Sequence, residues 1–316
     1  MNRMLFVVLL SMTSLLYADP QPFKNLTGDV PVNDVQQGVI QLPLILWGGD
    51  LPFLIANGGV NTKPDSIYGK MGLKIKITHG DDPVQQVKEY LSGKSPFLRM
   101  TMRMAGLASE LLNNDLKTKP IMVLQQTFSA GDHIVFREDE SNLENGKVKK
   151  PTQLDGLKGT KGCLQAEGPH VDLLEDSLKA AGLTWDDVEI VWVKNITGEN
   201  GPAEKMRNDP SIKWACVVTP DMIGLCTDLK SVGTGGEGTV KGARVINSTS
   251  TMTRSIVDGI FSRADFFKSN RAEIEKITAG YFKACETLLE AKKKYNDGQG
   301  SSPEYLSYLK MMQDFY

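Results

Sequence analysis

The chain has 316 residues, with 36 Lys and Arg against 38 Asp and Glu, a formal net charge of −2. At about 150 residues per domain this length suits two domains or lobes; 41% hydrophobic and 23% charged residues is a globular composition and excludes a disordered chain or a fibre. Near-neutral charge excludes a general nucleic-acid binder, four Cys are too few for a disulfide scaffold, and three His leave little room for a His-rich metal site.

The N-terminus has a short basic start at Arg3, a mostly apolar stretch over Leu5–Leu16 and a small residue, Ala18, before polar Asp19 and Pro20. This is the layout of a secretory signal peptide over residues 1–18, and the apolar stretch falls short of the ~20 residues of a bilayer span. The mature chain is therefore expected in the periplasm, one positive charge poorer through the loss of Arg3. In an oxidising compartment Cys163, Cys216, Cys226 and Cys285 are permitted to bond, but their sequence positions leave pairing and free thiols equally open.

Residues 19–40 are polar and aperiodic and read as a flexible mature N-terminus. A short apolar strand follows at Leu42–Trp47, then a helix over Pro52–Asn57 closed by Gly58-Gly59. Leu73–Thr78 alternates strictly and predicts a strand. Asp82-Pro83 opens a helix to Leu91, since Asp caps and Pro fits the first turn. Pro96–Met100 predicts a strand, Arg103–Leu116 an amphipathic helix, and Ile121–Thr127 and His133–Arg137 two more strands. Glu138–Leu154 is charged and turn-rich. A second strand–helix series then runs through Thr160–Gln165, Val171–Ala181, Glu189–Val193, Pro202–Asn208, Trp214–Val218, Met222–Leu225 and Ala243–Ile246. Asp265–Tyr295 predicts a long helix, with Ile274, Ile277, Tyr281, Leu288 and Leu289 on its buried face, and short helices end the chain.

Alternation of this kind predicts an α/β fold of two lobes, each a mainly parallel sheet flanked by helices. The C-terminal helices are expected to return to the first lobe. That makes lobe 1 residues 41–130 and 250–316 and lobe 2 residues 131–249, joined by two hinge crossings near 128–135 and 246–262.

Ligands of open α/β sheets sit beyond the carboxyl ends of strands, where helix N-termini favour anions. Four such turns occur here. Trp47-Gly48-Gly49-Asp50 offers a flat wall and a close backbone approach. Phe97–Thr101 carries Arg99, able to grip an acid group as a fork, and Thr101. Gln165–His170 includes Glu167, Gly168 and His170. Thr219-Pro220-Asp221 supplies a hydroxyl and a carboxylate. Each turn equally fits plain capping or a tight bend. Thr127 and Ser129 fall near the first crossing and Thr197 in a second-lobe loop. No GxSxG, HExxH or GxxxxGK[ST] motif is present, Gly233–Gly238 reads as a turn, and the three His lack partners at ligand spacing. No catalytic residue, metal or cofactor is expected.

Leu46-Trp-Gly-Gly-Asp50, Tyr90–Arg99, Leu154–Asp172 and Val232–Arg244 carry a resemblance. With the export signal and the two lobes, they make the chain similar to the type II solute-binding proteins of ABC importers, in the group that binds nitrate, alkanesulfonates, taurine and thiamine precursors, and to a subgroup labelled phosphate-type. The phrase Leu154–Gly162 is typical of the entry to the second lobe. The resemblance covers roughly residues 40–290. It implies a periplasmic monomer that captures a small organic anion or zwitterion between its lobes and delivers it to the transmembrane subunits of an ABC permease. Trp47, Gly48, Gly49, Asp50, Arg99 and Thr101 would act from lobe 1, and Glu167, Gly168, His170, Thr197, Thr219 and Asp221 from lobe 2, with Arg99 fixing an acid group and Glu167 or Asp221 meeting an amine. The rival readings are an envelope sensing or attachment module and a pyrimidine-synthase-like enzyme on the same scaffold.

Overall fold

In the computed structural model, which describes residues 20–127, 131–252, 255–298 and 300–316, strands and helices alternate through two separate sets of sheets. The expected signal segment lies outside the described residues. The first element is a short helix, α1 (Phe23–Thr27). It lies within the segment expected to be loose, and gives regular structure to Phe23–Thr27. Phe23 is wholly buried in a cluster with Tyr90 and Leu98, and the Asn33 carbonyl accepts a 2.9 Å hydrogen bond from the buried guanidinium of Arg263. One anchoring aromatic outweighs the polar composition around it.

In the first lobe β1 (Ile40–Leu44) precedes α2 (Leu51–Asn57) and α3 (Ile67–Lys70), and β2 (Ile75–His79) pairs parallel with β1. α2 starts with Pro52 in its first turn and ends at Gly58, whose φ of +74° suits a residue without a Cβ. Asp82 caps α4 (Pro83–Leu91) by accepting from the Gln85 N–H at 2.9 Å. β3 (Phe97–Thr101) is buried throughout. The helix expected over Arg103–Leu116 divides into α5 (Met102–Leu107) and α6 (Ser109–Leu112), with the poor helix former Gly106 just before the break. β4 (Pro120–Thr127) then leads across to the second lobe.

There β5 (Asp132–Arg137) is followed by a small hairpin, β6 (Leu143–Glu144) and β7 (Lys147–Val148). The series continues with β8 (Lys161–Gln165), α7 (His170–Ala180), β9 (Glu189–Val193), α8 (Pro202–Asn208), β10 (Trp214–Val218), α9 (Thr219–Cys226) and β11 (Ala243–Ser248). The chain then returns to the first lobe as β12 (Asp258–Arg263), a strand the sequence did not announce, followed by α10 (Ala264–Ser269), α11 (Arg271–Asp297) and α12 (Pro303–Phe315).

The second sheet has the order β11-β5-β10-β8-β9 and the first contains β3-β12-β4, with β1 lying against β3. The sheets are mixed, not mainly parallel. β8 runs parallel to β9 and β10, but β5 is antiparallel to both its neighbours, as is β12. Parallel pairs require a helical crossover over the same sheet. β5 and β12 arrive directly from the other lobe, so that constraint does not apply to them.

Each set of strands is sandwiched between two apolar clusters. On one face of the first, Leu42, Ile75, Ile77 and Phe97 meet Ile274, Ile277 and Tyr281 of α11 and Phe315 of α12. The C-terminal helices therefore pack on first-lobe strands. α11 fits closely there: the Tyr68 hydroxyl donates to the Ile277 carbonyl at 2.9 Å, and a Cβ on Gly280 would lie 2.4 Å from the Tyr68 ring. Leu289, expected on the buried face, is 65% exposed because it sits beside the stripe that runs through Ala284, Leu288 and Ala291. In the second lobe, Ile134, Leu164, Leu174 and Trp214 pack with α7 on one face, and Val135, Ala215, Met206 and Leu225 with α8 and α9 on the other. All four cysteines are free thiols. No helix among the described residues is long and apolar enough to cross a membrane.

Candidate functional site

The two links between the lobes run from β4 to β5 and from β11 to β12, and a cleft opens beside them. About 380 Å³ in and at its mouth is not filled by atoms, part of it open solvent, and the interior is narrow, with about 20 Å³ free to a water-sized sphere. Leu46, Asp81, Arg99, Thr101, Met104 and Asp258 line it from the first lobe, and Gln165, Pro169 and Ile196 from the second.

Arg99 is the central residue of β3 and is fully buried. Its Nε donates to both oxygens of Asp50 at 2.9 and 3.1 Å, and its Nη1 donates to Asp258 Oδ1 at 2.5 Å. Asp50, itself fully buried, stands in the turn before α2 and also accepts from the Ile45 N–H at 2.9 Å and Gln126 Nε2 at 2.7 Å. Asp258 is the first residue of β12 and lies opposite Thr101 in the ladder. The Trp47 ring covers the guanidinium, its centroid 5.0 Å from Cζ. Burial alone would lower the Arg99 pKa, but Asp258 and Asp50 more than compensate and hold it charged. The fork that the sequence reserved for a ligand is thus mostly taken up inside the protein. One nitrogen, Nη2, is buried without a partner.

The other expected site residues are dispersed. Among the described residues expected at the site, only Arg99 and Thr101 line the cleft cavity, with Trp47 and Asp50 in contact with Arg99. Thr101 caps α5, accepting from the Met104 N–H at 3.2 Å. Gly48 is exposed, and the Gly49 carbonyl accepts from the Tyr281 hydroxyl at 3.1 Å. Thr127 ends β4 opposite Asp258; Ser129 lies outside the described residues. Glu167, buried at a φ of +53°, turns toward the N-terminal segment and accepts from the Gln21 N–H at 3.2 Å. Gly168 sits under the Gln165 side chain, where a Cβ would come within 2.3 Å of Oε1. Asp221 is hydrogen-bonded to Thr197. Neither Glu167 nor Asp221 lines the cavity, so neither is placed to meet a ligand amine there.

Two histidines brace the second lobe. His170, fully buried, pairs with Asp132 at 2.9 Å. The Thr219 hydroxyl donates to the Gly131 carbonyl at 2.9 Å, so its bond to His133 Nε2, also 2.9 Å, needs the proton on that nitrogen. Burial lowers the His133 pKa. Among the described residues no group of three or more His, Cys, Asp or Glu is arranged to hold a metal ion.

Several contacts join the lobes across the cleft, and none was foreseen. Gln165 Nε2 donates to the Asp81 carbonyl at 3.1 Å, and Lys194 lies 3.4 Å from Asp82. Arg103 of α5 reaches three carboxylates on α7: Asp172 at 3.0 Å, Glu175, and Asp176 at 3.7 Å. The i, i+3, i+4 spacing of those acids puts them on one helix face, a pattern visible in the sequence but readable only with its partner in hand.

Burial pushes the Asp172 carboxyl from its ordinary 3.8 up to about 8, against the opposing pull of Arg103 and Thr101. Its folded value then exceeds its unfolded value, so between pH 4 and 8 the folded protein binds the extra proton and stability falls as pH rises. Thermal melts across that window are expected to show this decline, and Asp172→Asn is expected to flatten it. An unchanged slope in the variant would assign the decline to other groups.

No protein-family model and no curated protein matches the chain in sequence. Solved structures do. The periplasmic aliphatic sulphonate-binding protein of Escherichia coli superposes with a TM-score of 0.55 at 14% identity, over 87% of this chain and 84% of that one. A periplasmic sulfonate-binding protein of a putative sulfonate ABC transporter from Methylobacillus flagellatus gives 0.55 at 17% identity, over 84% and 73%. The periplasmic nitrate-binding protein of Synechocystis gives 0.56 at 16% identity, over 84% of this chain and 65% of that one. With its two lobes, two crossings and the cleft between them, the chain has the fold of the periplasmic solute-binding proteins of ABC importers.

Proposed function

We propose that the chain is an extracytoplasmic solute-binding protein that captures a small molecule between its lobes and delivers it, by hinge closure, to an ABC-type permease. The observation that carries this reading is the cleft itself, lined from both lobes and flanked by the two links. A solute touching both walls binds the closed form better than the open one, and only such differential contact drives closure. The periplasmic location expected from residues 1–18 fits the reading, as do neighbours of this fold that are binding proteins. A monomer suffices, since both walls come from one chain.

A thermal-shift screen of the mature chain against sulfonates, phosphonates, nitrate, amino acids and pyrimidines tests it. A true ligand at a hundred times its Kd stabilises by about 2.7 kcal/mol. If no solute in the panel raises the melting temperature, the reading is rejected.

A further inference from the structure

The charge balance around Arg99 specifies more than a generic solute. Asp50, Asp81 and Asp258 surround or face the cleft, and Arg99 is the one cation among the described residues lining it. His79 lies near Asp81, but its ring stacks on Phe315 at 4.4 Å. Asp81 has one oxygen engaged by the Leu46 N–H at 2.7 Å. The carboxylates therefore outnumber the guanidinium in a partly desolvated space, where like charges cost most. Burial foremost, and the Asp50 charge besides, raise the pKa of both Asp81 and Asp258. An entering anion adds to this imbalance; an entering ammonium relieves it.

Arg99 supplies the complementary half. Its Nη2 is buried without a partner, and Arg99 is among the residues that line the cleft. A buried unpaired donor on a charged group is costly, and one ligand oxygen satisfies it. The remaining walls, Ile45, Leu46, Met100, Met104, Pro169 and Ile196, are aliphatic.

We propose, on the basis that the chain binds a solute in this cleft, that its ligand is a small aliphatic zwitterion. The protonated amine lies against Asp81 and Asp258, an oxygen of the acid group accepts from Arg99 Nη2, and the carbon body rests on the apolar walls. Asp81, the neighbour of the helix cap Asp82, and Asp258, in the unforeseen strand, are the residues that set this preference over simple anions.

Isothermal titration with matched probes tests it: L-alanine, L-valine and L-leucine as zwitterions, 4-methylpentanoate without the amine, 3-methylbutylamine without the acid, and 1-pentanesulfonate and nitrate as plain anions. At least one amino acid is expected to bind at least tenfold more tightly than every single-charge probe. Asp81→Asn keeps an acceptor for the Leu46 N–H, so its melting temperature is expected to stay near that of the parent while amino-acid affinity drops at least tenfold. Binding of 4-methylpentanoate, pentanesulfonate or nitrate as tight as that of the amino acids overturns the zwitterion assignment and leaves solute capture standing. Parent-like affinity in Asp81→Asn removes Asp81 from the site. Failure of every probe here and in the wider screen overturns both proposals together.

Discussion

Replacing Arg99 with methionine is expected to lower the free energy of unfolding by about 3–5 kcal/mol at neutral pH, the cost of stripping one partner from a buried ion pair. Arg99 is fully buried and serves two carboxylates, Asp50 and Asp258, which lie within hydrogen-bonding distance of it. Without the guanidinium both face a low-dielectric surrounding with only neutral donors, such as Gln126 Nε2 and the Ile45 N–H on Asp50. They would recover by taking up protons, so the penalty should shrink as pH is lowered toward 5. Adding Asp50→Asn and Asp258→Asn to the variant removes the stranded charges and should restore much of the lost stability. Lysine in place of Arg99 should rescue only partly, because an ammonium does not match the two-sided fork. Urea unfolding of the four proteins at two pH values measures all of this; a loss below 1 kcal/mol in the methionine variant would show that the trio is not a stabilising unit.

Arg103→Gln is expected to weaken solute binding about tenfold, or ~1.4 kcal/mol, and to enlarge the solute-free protein in solution scattering. Arg103 is the ion-paired cation that α5 extends to α7, where it meets Asp172, Glu175 and Asp176. Its side chain is 30% exposed, so each pair is partly screened and worth little alone. Their sum acts only when the lobes are together. Removing it leaves Glu175 and Asp176 facing α5 without their cation, an arrangement that opening relieves by hydration. The loss should fall mainly on the dissociation rate, since the closed complex is what the pairs hold. Unaltered affinity together with an unaltered radius of gyration would mean that closure does not depend on this contact.

Much of the architecture was legible because local signals agreed. The Asp82-Pro83 start of α4, the alternation of β2 and the runs of β9 and β10 name their own structure within a few residues. β12 was hidden because Asp258-Gly-Ile-Phe-Ser-Arg263 is buried on both faces and so lacks the alternation that marks a half-exposed strand. That omission had a chemical consequence. Arg99 looked like a free fork since its second carboxylate, 159 residues away, belonged to a strand not recognised. Asp50 and Arg99 were both singled out, yet nothing in their spacing says that one neutralises the other. Glu167 and Asp221 lie outside the cavity for the converse reason: their partners, Gln21 and Thr197, lie in segments without periodicity.

The position of Asp258 ties recognition to mechanics. It is the first residue of β12, where the second link between lobes ends and the central strand of β3-β12-β4 begins. The same carboxylate therefore feels the charge of whatever enters the cleft and anchors the backbone about which the lobes would turn. A solute that redistributes the Arg99–Asp258 bond applies its force at the pivot itself, so selectivity and closure share one lever arm and a substitution at Asp258 should disturb both together.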